Sequence, residues 1–542
     1  MTILRSIFTA IVFASSILAN ALAAVPTKTV SPDFAYPQKV SQTSMETLKT
    51  ALADGDRQAT LRALIDYTLA QSSISPANIT RSLSLIDSVA TVKTIDTVTR
   101  AMLNTLRATI YENVYGNQKW KYDRRSLPLT PLPEDINEWS GQQFRDVIAR
   151  LYDEALADST ALLASPLTDW KNVVEQDRMT VTYYPTLLDF VASKAITTFS
   201  SWNNEPAFYP YRLVAEASDA NKQFVSVTLK QAPVSNRILG LYSMLIRHSR
   251  SGSAPDVNYR LSRLSFLLDN SPATSTDWAT ARYNAYSELY MSLSDRDGKP
   301  ESEYVGDILL RLPLTQQYNK KIYDLINSFL KEYPRYWRAD CMRNTLDILC
   351  HKEIIVEGPH LTAPGRETVI KVIMNNVTDA SLKLCDVSSS EAARDFYDTR
   401  KSQALKTVAT IPLRAKGEIP FSDTLEIRHV FPACGAFIAI PSAKDEVVSA
   451  RENYSKIRVS EIAMIYGALN GRRQLWAVSA ADGAPVPNVK IGITESPYRD
   501  SSTTIAIGVT DNDGGLQIPA KSRGAVTASK GSDRFCLTHL YR

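Results

Sequence analysis

Five cysteines, five histidines and one short acidic run are the residues in this chain best equipped for chemistry, and their spacing argues against most of it. Cys341, Cys350, Cys385, Cys434 and Cys536 form no C-x-x-C, and none stands at zinc-ligand spacing from a histidine. Cys341 and Cys350 are nine positions apart on a predicted helix, about 13 Å along its axis, too far to bond to each other. Cys385 and Cys434 would lie within one β-domain and could bridge in an oxidising compartment, but an odd total leaves a thiol over. Small buried hydrophobes is the favoured reading of the set. His248, His351, His360, His429 and His539 are scattered, and His351 and His360, with Cys350 beside the first, read as junction or surface positions rather than a metal site. Asp511-Asn512-Asp513-Gly514 opens like a calcium loop, yet Ser522 stands where the twelfth-position Glu is required, so an Asp-Gly turn is expected. Glu301 and Glu303 would serve as an acid/base pair only in a cleft that raises one pKa. Tyr209, Tyr211, Tyr333, Tyr336 and Trp337 are enough rings for a binding platform, although packing between helices explains them equally. Zinc-protease, nucleophile-elbow, phosphate-loop and dinucleotide motifs are absent. The expectation is therefore a chain with no catalytic, cofactor-binding or metal-ligating residue, no cofactor, and no enzyme activity.

The elements that carry these residues fall into two halves. At 542 residues the chain is long enough for about three to four domains, and its 44% hydrophobic and 22% charged residues are those of a soluble globular protein. A net charge of +4, with the signs interspersed, offers no basic stripe for phosphates and excludes nucleic acid as the expected partner. Residues 1–23 place Arg5 before an apolar run from Ile7 to Leu18 and end in small residues at Ala21 and Ala23, the build of a signal peptide. The mature chain is expected to be exported, to the periplasm or cell envelope, with no transmembrane span. A linker at 24–44 precedes an α-helical region at 45–351. There Phe144, Val147, Ile148, Leu151, Ala155 and Leu156 make one helical stripe, and Tyr318, Ile322, Leu325, Ile326, Phe329 and Tyr333 make another that Pro334 stops. The predicted helices include 45–70, 76–91, 93–114, 185–199, 236–249, 256–269, 276–294 and 335–350, a tetratricopeptide-like solenoid or bundle. After His351 the period shortens to two. Thr368–Met374 and Ser381–Cys385 read as a hairpin, and further strands are predicted at Leu405–Leu413, Thr424–His429, Ala436–Ile440, Ile457–Ile465, Gln474–Ser479, Val489–Thr494, Thr504–Val509 and Gly515–Ile518. Strands this short with turn signals about every ten residues predict two antiparallel β-sandwiches, at 352–455 and 456–542.

The most specific text is in the last ninety or so residues. Ile457-Arg458-Val459-Ser460, then Leu475-Trp476-Ala477-Val478, then Asp482-Gly483-Ala484-Pro485-Val486-Pro487-Asn488-Val489-Lys490, then Gly508-Val509-Thr510-Asp511-Asn512-Asp513-Gly514-Gly515 follow in an order that resembles a macroglobulin domain of the bacterial alpha-2-macroglobulin family. Glu353–Val387 and the strand through Phe437 to Ile440 resemble the family's preceding macroglobulin domain. Tyr184-Pro185-Thr186-Leu187-Leu188-Asp189-Phe190 and Phe329-Leu330-Lys331-Glu332-Tyr333-Pro334 are similar to the helical region of large exported members of the Bacteroides-like type. The resemblance implies a multidomain α plus all-β chain, the sandwiches being Ig-like. It further implies the N-terminal scaffold portion of an exported endopeptidase inhibitor, with proteases and the remaining macroglobulin domains as partners. The family's thioester joins a Cys to a Gln three residues on, and no Cys here has that Gln: Cys434 is followed by Gly435-Ala436-Phe437. No bait segment is evident either. The other reading is an envelope adhesion or scaffold protein that binds a partner through its helical region.

Overall fold

The computed structural model describes residues 36–125, 130–202, 233–270, 278–388, 405–443, 454–469, 472–494, 504–518 and 525–537. The expected leader, Tyr209, Tyr211, Ser522 and His539 lie outside these residues. By internal contacts the described residues divide into two units, one from Met1–Pro313 and Phe329–Tyr336, the other from Leu314–Ser328 and Trp337–Arg542.

The longer helices are α1 (Pro37–Asp54), α2 (Arg57–Ile74), α3 (Ile79–Ala90), α4 (Thr97–Asn117), α5 (Gly141–Leu156), α6 (Leu187–Trp202), α7 (Pro233–His248), α8 (Ala254–Asp269), α9 (Trp278–Ser292), α10 (Asn319–Glu332) and α11 (Ala339–Leu349). None is long and apolar enough to cross a membrane. The first of them corrects two expectations. Helix begins at Pro37, inside the expected linker, because a proline in the first turn has no intrahelical N–H to lose. The single helix expected over 45–70 is broken by Gly55, whose φ of 68° closes α1, and by Asp56, whose side chain accepts the Ala59 N–H and opens α2. The stripe on α5 is buried from Phe144 to Ala155 and half-buried at Leu156, and the helix opens with a capping box between Ser140 and Gln143. Phe144, fully buried, packs against Tyr111, Tyr115, Tyr122 and Trp139 at centroid distances of 4.7 to 6.4 Å.

In the second unit the strands are β1 (Glu353–Glu357), β2 (Leu361–Thr362), β3 (Glu367–Asn375), β4 (Asp379–Asp386), β5 (Lys406–Arg414), β6 (Ser422–Val430), β7 (Gly435–Ala443), β8 (Ser455–Val459), β9 (Ile462–Leu469), β10 (Arg472–Ser479), β11 (Lys490–Thr494), β12 (Thr504–Val509), β13 (Gly515–Gln517), β14 (Ala525–Lys530) and β15 (Asp533–Leu537). They make small sheets in the orders β1-β3-β6, β2-β8-β7-β4-β5, β13-β10-β9 and β12-β11-β14-β15. Alternate residues of the first two sheets, among them Ile354, Ile370, Val372, Leu382, Leu384, Ala439 and Val459, close on one core. Ile462, Leu475, Ile491, Ile493, Ile518 and Val526 from the other two sheets and their flanks close on a second.

Three strand expectations are corrected. First, β3 and β4 form no hairpin: β3 pairs with β1 and β6, while β4 pairs with β5 and β7. Asn376, at a φ of 55°, turns the chain from one sheet to the other. Second, Ile457–Ile465 is two strands. Ser460 interrupts them, its hydroxyl accepting the Ile462 N–H at 3.0 Å and donating to Asp533 at 2.8 Å, so β8 completes the first core and β9 begins the second. The step between the cores falls at Ser460–Glu461 rather than at 455/456. Third, β2 runs parallel to β8 in sheets that are otherwise antiparallel.

Candidate functional site

The residues singled out for chemistry are dispersed. Cys385 and Cys434 are both free thiols, which corrects the bridge considered for them. Cys385 is buried with its sulfur 3.8 Å from the Thr407 hydroxyl, and Cys434 lies beside Glu461 and Asp533. Burial pushes both thiols up in pKa. Among the described residues no group of three or more His, Cys, Asp or Glu is arranged to hold a metal ion. His429 packs edge-on against Phe431 at 4.6 Å, and burial lowers its pKa. Asp511 spends one carboxylate oxygen on the N–H groups of Asp513 and Gly515, at 3.0 and 2.7 Å, the geometry of a turn. Glu301 accepts from the Ser251 hydroxyl at 3.1 Å, while Glu303 opens a 3-10 turn. Tyr333 and Tyr336 pack on Phe329 at 5.2 and 5.3 Å and bond to Pro300 and Asp307, so they serve packing. One consequence is measurable. A thiol reagent on the native protein should modify exposed Cys341 first and reach Cys385 only once denaturant opens the β body.

Sequence reasoning missed a cleft of about 780 Å³ beside α1 and α2 in the first unit. Two rows of side chains at four-residue spacing line it, Lys39, Thr43 and Thr47 on α1, and Gln58, Arg62 and Asp66 on α2. Val40, Ala59 and Ala63 give it small apolar patches, and Tyr36 stands at the rim, 66% exposed. The Arg62 Nε donates to Asp66 Oδ2 at 3.0 Å, and its Nη1 donates to the Asn172 carbonyl at 3.4 Å. On the same wall Asp66 Oδ1 and Gln58 Oε1 are buried acceptors with no hydrogen-bond partner. Desolvation raises the Asp66 pKa against the pull of Arg62. The cleft is hidden in the sequence because the break at Gly55-Asp56, which sets α2 against α1, lies inside a pattern that reads as continuous helix. The signal is present in the polar i, i+4, i+8 rows.

A smaller cleft of about 390 Å³, also in the first unit, includes Asp189, His248 and Arg250. Asp189 is fully engaged: Tyr259 donates to Oδ1 at 2.7 Å, while the Thr186 N–H and hydroxyl donate to Oδ2 at 2.9 and 2.6 Å. Desolvation raises its pKa, and its contacts pin the start of α6 to α8. Two phenols of this unit carry a pH consequence. Burial, then the hydrogen bond to Asp123, pushes Tyr115 up to about 12, and burial pushes Tyr290 up to about 12. In the unfolded chain both ionise near the ordinary value of about 10. Folded pKa values above the unfolded ones mean that the unfolded state releases protons first, so this part of the stability is intact below pH 10 and drains as pH climbs toward 12. Denaturant midpoints for the helical unit should fall between about pH 10 and 12.

A unit of helices and a unit of small sheets, with a polar cleft in the first, is thus the class of molecule defined by the fold. No family model and no curated protein matches the sequence. Solved structures of bacterial alpha-2-macroglobulin are similar over part of the chain. Native Escherichia coli alpha-2-macroglobulin spanning domains MG0-NIE-MG1 aligns with a TM-score of 0.27 and 13% identity, over 35% of this chain and 64% of that one. The shorter NIE-MG1 piece gives 0.26 and 14%, over 35% of this chain and 97% of that one. A Salmonella alpha-2-macroglobulin variant gives 0.25 and 14%, over 34% and 12%. The alignment thus spans less than two thirds of the first of these chains, and at such scores no functional argument rests on it.

Proposed function

We propose that the chain is a non-catalytic scaffold portion, N-terminal in its parent, of an exported alpha-2-macroglobulin-like endopeptidase inhibitor of the Bacteroides-like type. In this reading residues 1–23 are removed on export to the periplasm or envelope, and the helical region packs as a solenoid or bundle. The two β bodies are Ig-like macroglobulin sandwiches that form part of a cage wall. The carrying observation is that the motif glycines and prolines of 482–514 fall at turns of one two-sheet body. Gly483 and Gly514 take positive φ, Pro485 bridges to Val478, and Ile518 reaches the core. The chain holds no Cys followed at the third position by Gln, so it contributes geometry and no thioester.

The test is a parent product that carries this chain together with its bait and remaining sandwiches. Incubated with endopeptidases of several classes, it should protect a large protein substrate while leaving a small peptide substrate accessible. Failure to shield against any class would overturn the reading. The second reading, a partner-binding envelope scaffold, is favoured by the cleft on α1 and α2, and stable capture of one partner by the intact chain, abolished by substitutions there, would support it.

A further inference from the structure

We propose that the free edge of β9 pairs with β9 of a second copy of this chain, antiparallel about a two-fold axis at Tyr466. Ala477 on β10 stands opposite Met464, yet its N–H donates to the Gly514 carbonyl at 2.8 Å and its carbonyl accepts the Val486 N–H at 2.9 Å. Ala477 and Met464 are therefore a non-bonded pair of the antiparallel ladder, and the N–H and C=O of Met464 point away from β10. At a period of two, so do those of Tyr466 and Ala468. No strand pairs with β9 on that side among the described residues. A row of backbone donors and acceptors thus stands open to another strand.

Among the described residues, each of the other sheet edges carries something that discourages such pairing. β1 bears Glu353 and Glu357, β6 bears Glu426 and Arg428, β5 holds Pro412, β12 is bulged against β11, β15 opens with the buried charge of Asp533, and β2 and β13 are two and three residues long. Ile462–Leu469 has none of these: it keeps unbroken register with β10 and contains no charge and no proline. What it presents is complementary to itself. With the axis at Tyr466, Ile465 of each copy falls opposite Gly467 of the other. Ile465 is 54% exposed, and Trp476, its neighbour on β10, leans its ring over Gly467, where a β-carbon would come within 3.2 Å. Each Ile465 thus lands beside the other copy's glycine and against the other copy's indole. Tyr466, half-buried at the rim of the second core, meets Tyr466 of the second copy as a cross-strand aromatic pair. A large apolar side chain and a glycine two residues apart fit a second copy better than a charged strand of another protein. Pairing at β9 uses only the second unit and stands or falls independently of the inhibitor reading.

An interface of one strand pair falls below the roughly 1,200 Å² of standard ones, so the experiment is sedimentation equilibrium of the whole chain over about 1 to 200 µM, where an association in the tens of micromolar shows. The mean mass should rise from one chain toward two and stop there, because a two-fold contact closes. Hydrogen exchange in Ile462–Leu469 should slow severalfold with concentration, while exchange in β6 and β12 stays the same. Ile465→Glu, at an exposed position, and Ala468→Pro, which removes an outward N–H that β10 does not use, should each weaken the dimer at least tenfold. Val509→Glu on β12, at a position 50% exposed, should leave it unchanged. The proposal is overturned if the chain keeps its single mass at the highest concentration, which would leave the edge to a strand of another protein, if the mass climbs past two chains, or if protection appears at another edge instead. It is equally overturned if the dimer survives both Ile465→Glu and Ala468→Pro with circular dichroism spectra unchanged.

Discussion

Replacing Asn376 by Ala is expected to destabilise the first β body by about 4 kcal/mol, the largest effect of any single polar substitution argued for this chain. The side chain is buried and makes three hydrogen bonds. Its Nδ2 donates to the carbonyls of Leu349 and His351, each at 2.8 Å, and its Oδ1 accepts the Phe421 N–H at 2.9 Å. One residue thus ties the end of α11, the approach to β1 and the loop before β6 to the corner where the chain changes sheets. Alanine strands these backbone groups where water is scarce, at about 1–3 kcal/mol for each left unsatisfied, and holds a β-carbon at a φ of 55°, at roughly 1 kcal/mol. Asn376→Gly separates the two contributions, because glycine relieves the backbone cost and leaves the lost bonds. Hydrogen exchange should show protection falling in β1, β3 and β6 for both variants, with glycine less damaged by about 1 kcal/mol. Equal protection in wild type and Asn376→Ala would remove the residue from the account of this corner.

That corner also shows what sequence can and cannot reveal. Period-two burial in Thr368–Met374 and Ser381–Cys385 identifies both strands, because alternation is set locally by the pleat. Their pairing reads wrongly as a hairpin because partner choice is set by long-range contacts. Asn-Val-Thr looks like any turn until its amide is seen holding a helix end 27 residues upstream. The same division recurs at Ser460. Apolar residues on both sides of it suggest one strand, whereas the hydroxyl is held by Asp533, 73 residues later. In the helical half, stripes such as Phe144 to Leu156 are readable because a buried face repeats about every 3.6 residues. The cleft on α1 and α2 is not, because one glycine and one aspartate between two compatible patterns decide whether two helices face each other. Chemistry-bearing residue types are a poor guide to the site: the thiols and imidazoles are dispersed, while the cleft is built of ordinary Lys, Thr, Gln, Arg and Asp.

The second large effect belongs to Gly514, and here the sequence motif and the packing agree. A methyl group on Gly514 would sit 2.4 Å from the Ala477 carbonyl oxygen and 3.1 Å from the Val486 nitrogen, both backbone atoms that cannot swing aside. Those atoms are themselves bonded: the Val486 N–H donates to the Ala477 carbonyl at 2.9 Å, and the Ala477 N–H donates to the Gly514 carbonyl at 2.8 Å. The Asp511–Gly515 turn is therefore clasped against β10 and the Gly483-Pro485 turn, and it carries the chain from β12 in one sheet to β13 in the other. Gly514→Ala should cost about 3 kcal/mol, roughly 1 for the left-handed backbone and the rest for one or two displaced hydrogen bonds. Gly483 supplies the control. Its φ is 77°, yet a methyl group there would meet nothing within 4 Å, so Gly483→Ala should cost only the backbone share, about 1 kcal/mol. Hydrogen exchange in β10, β11 and β14 is the readout, because the separate core of the first β body should keep its protection when the second loosens. If the two alanine variants prove equally stable, the close approach at Gly514 does not organise this body, and the glycines of the resemblance reduce to ordinary turn positions.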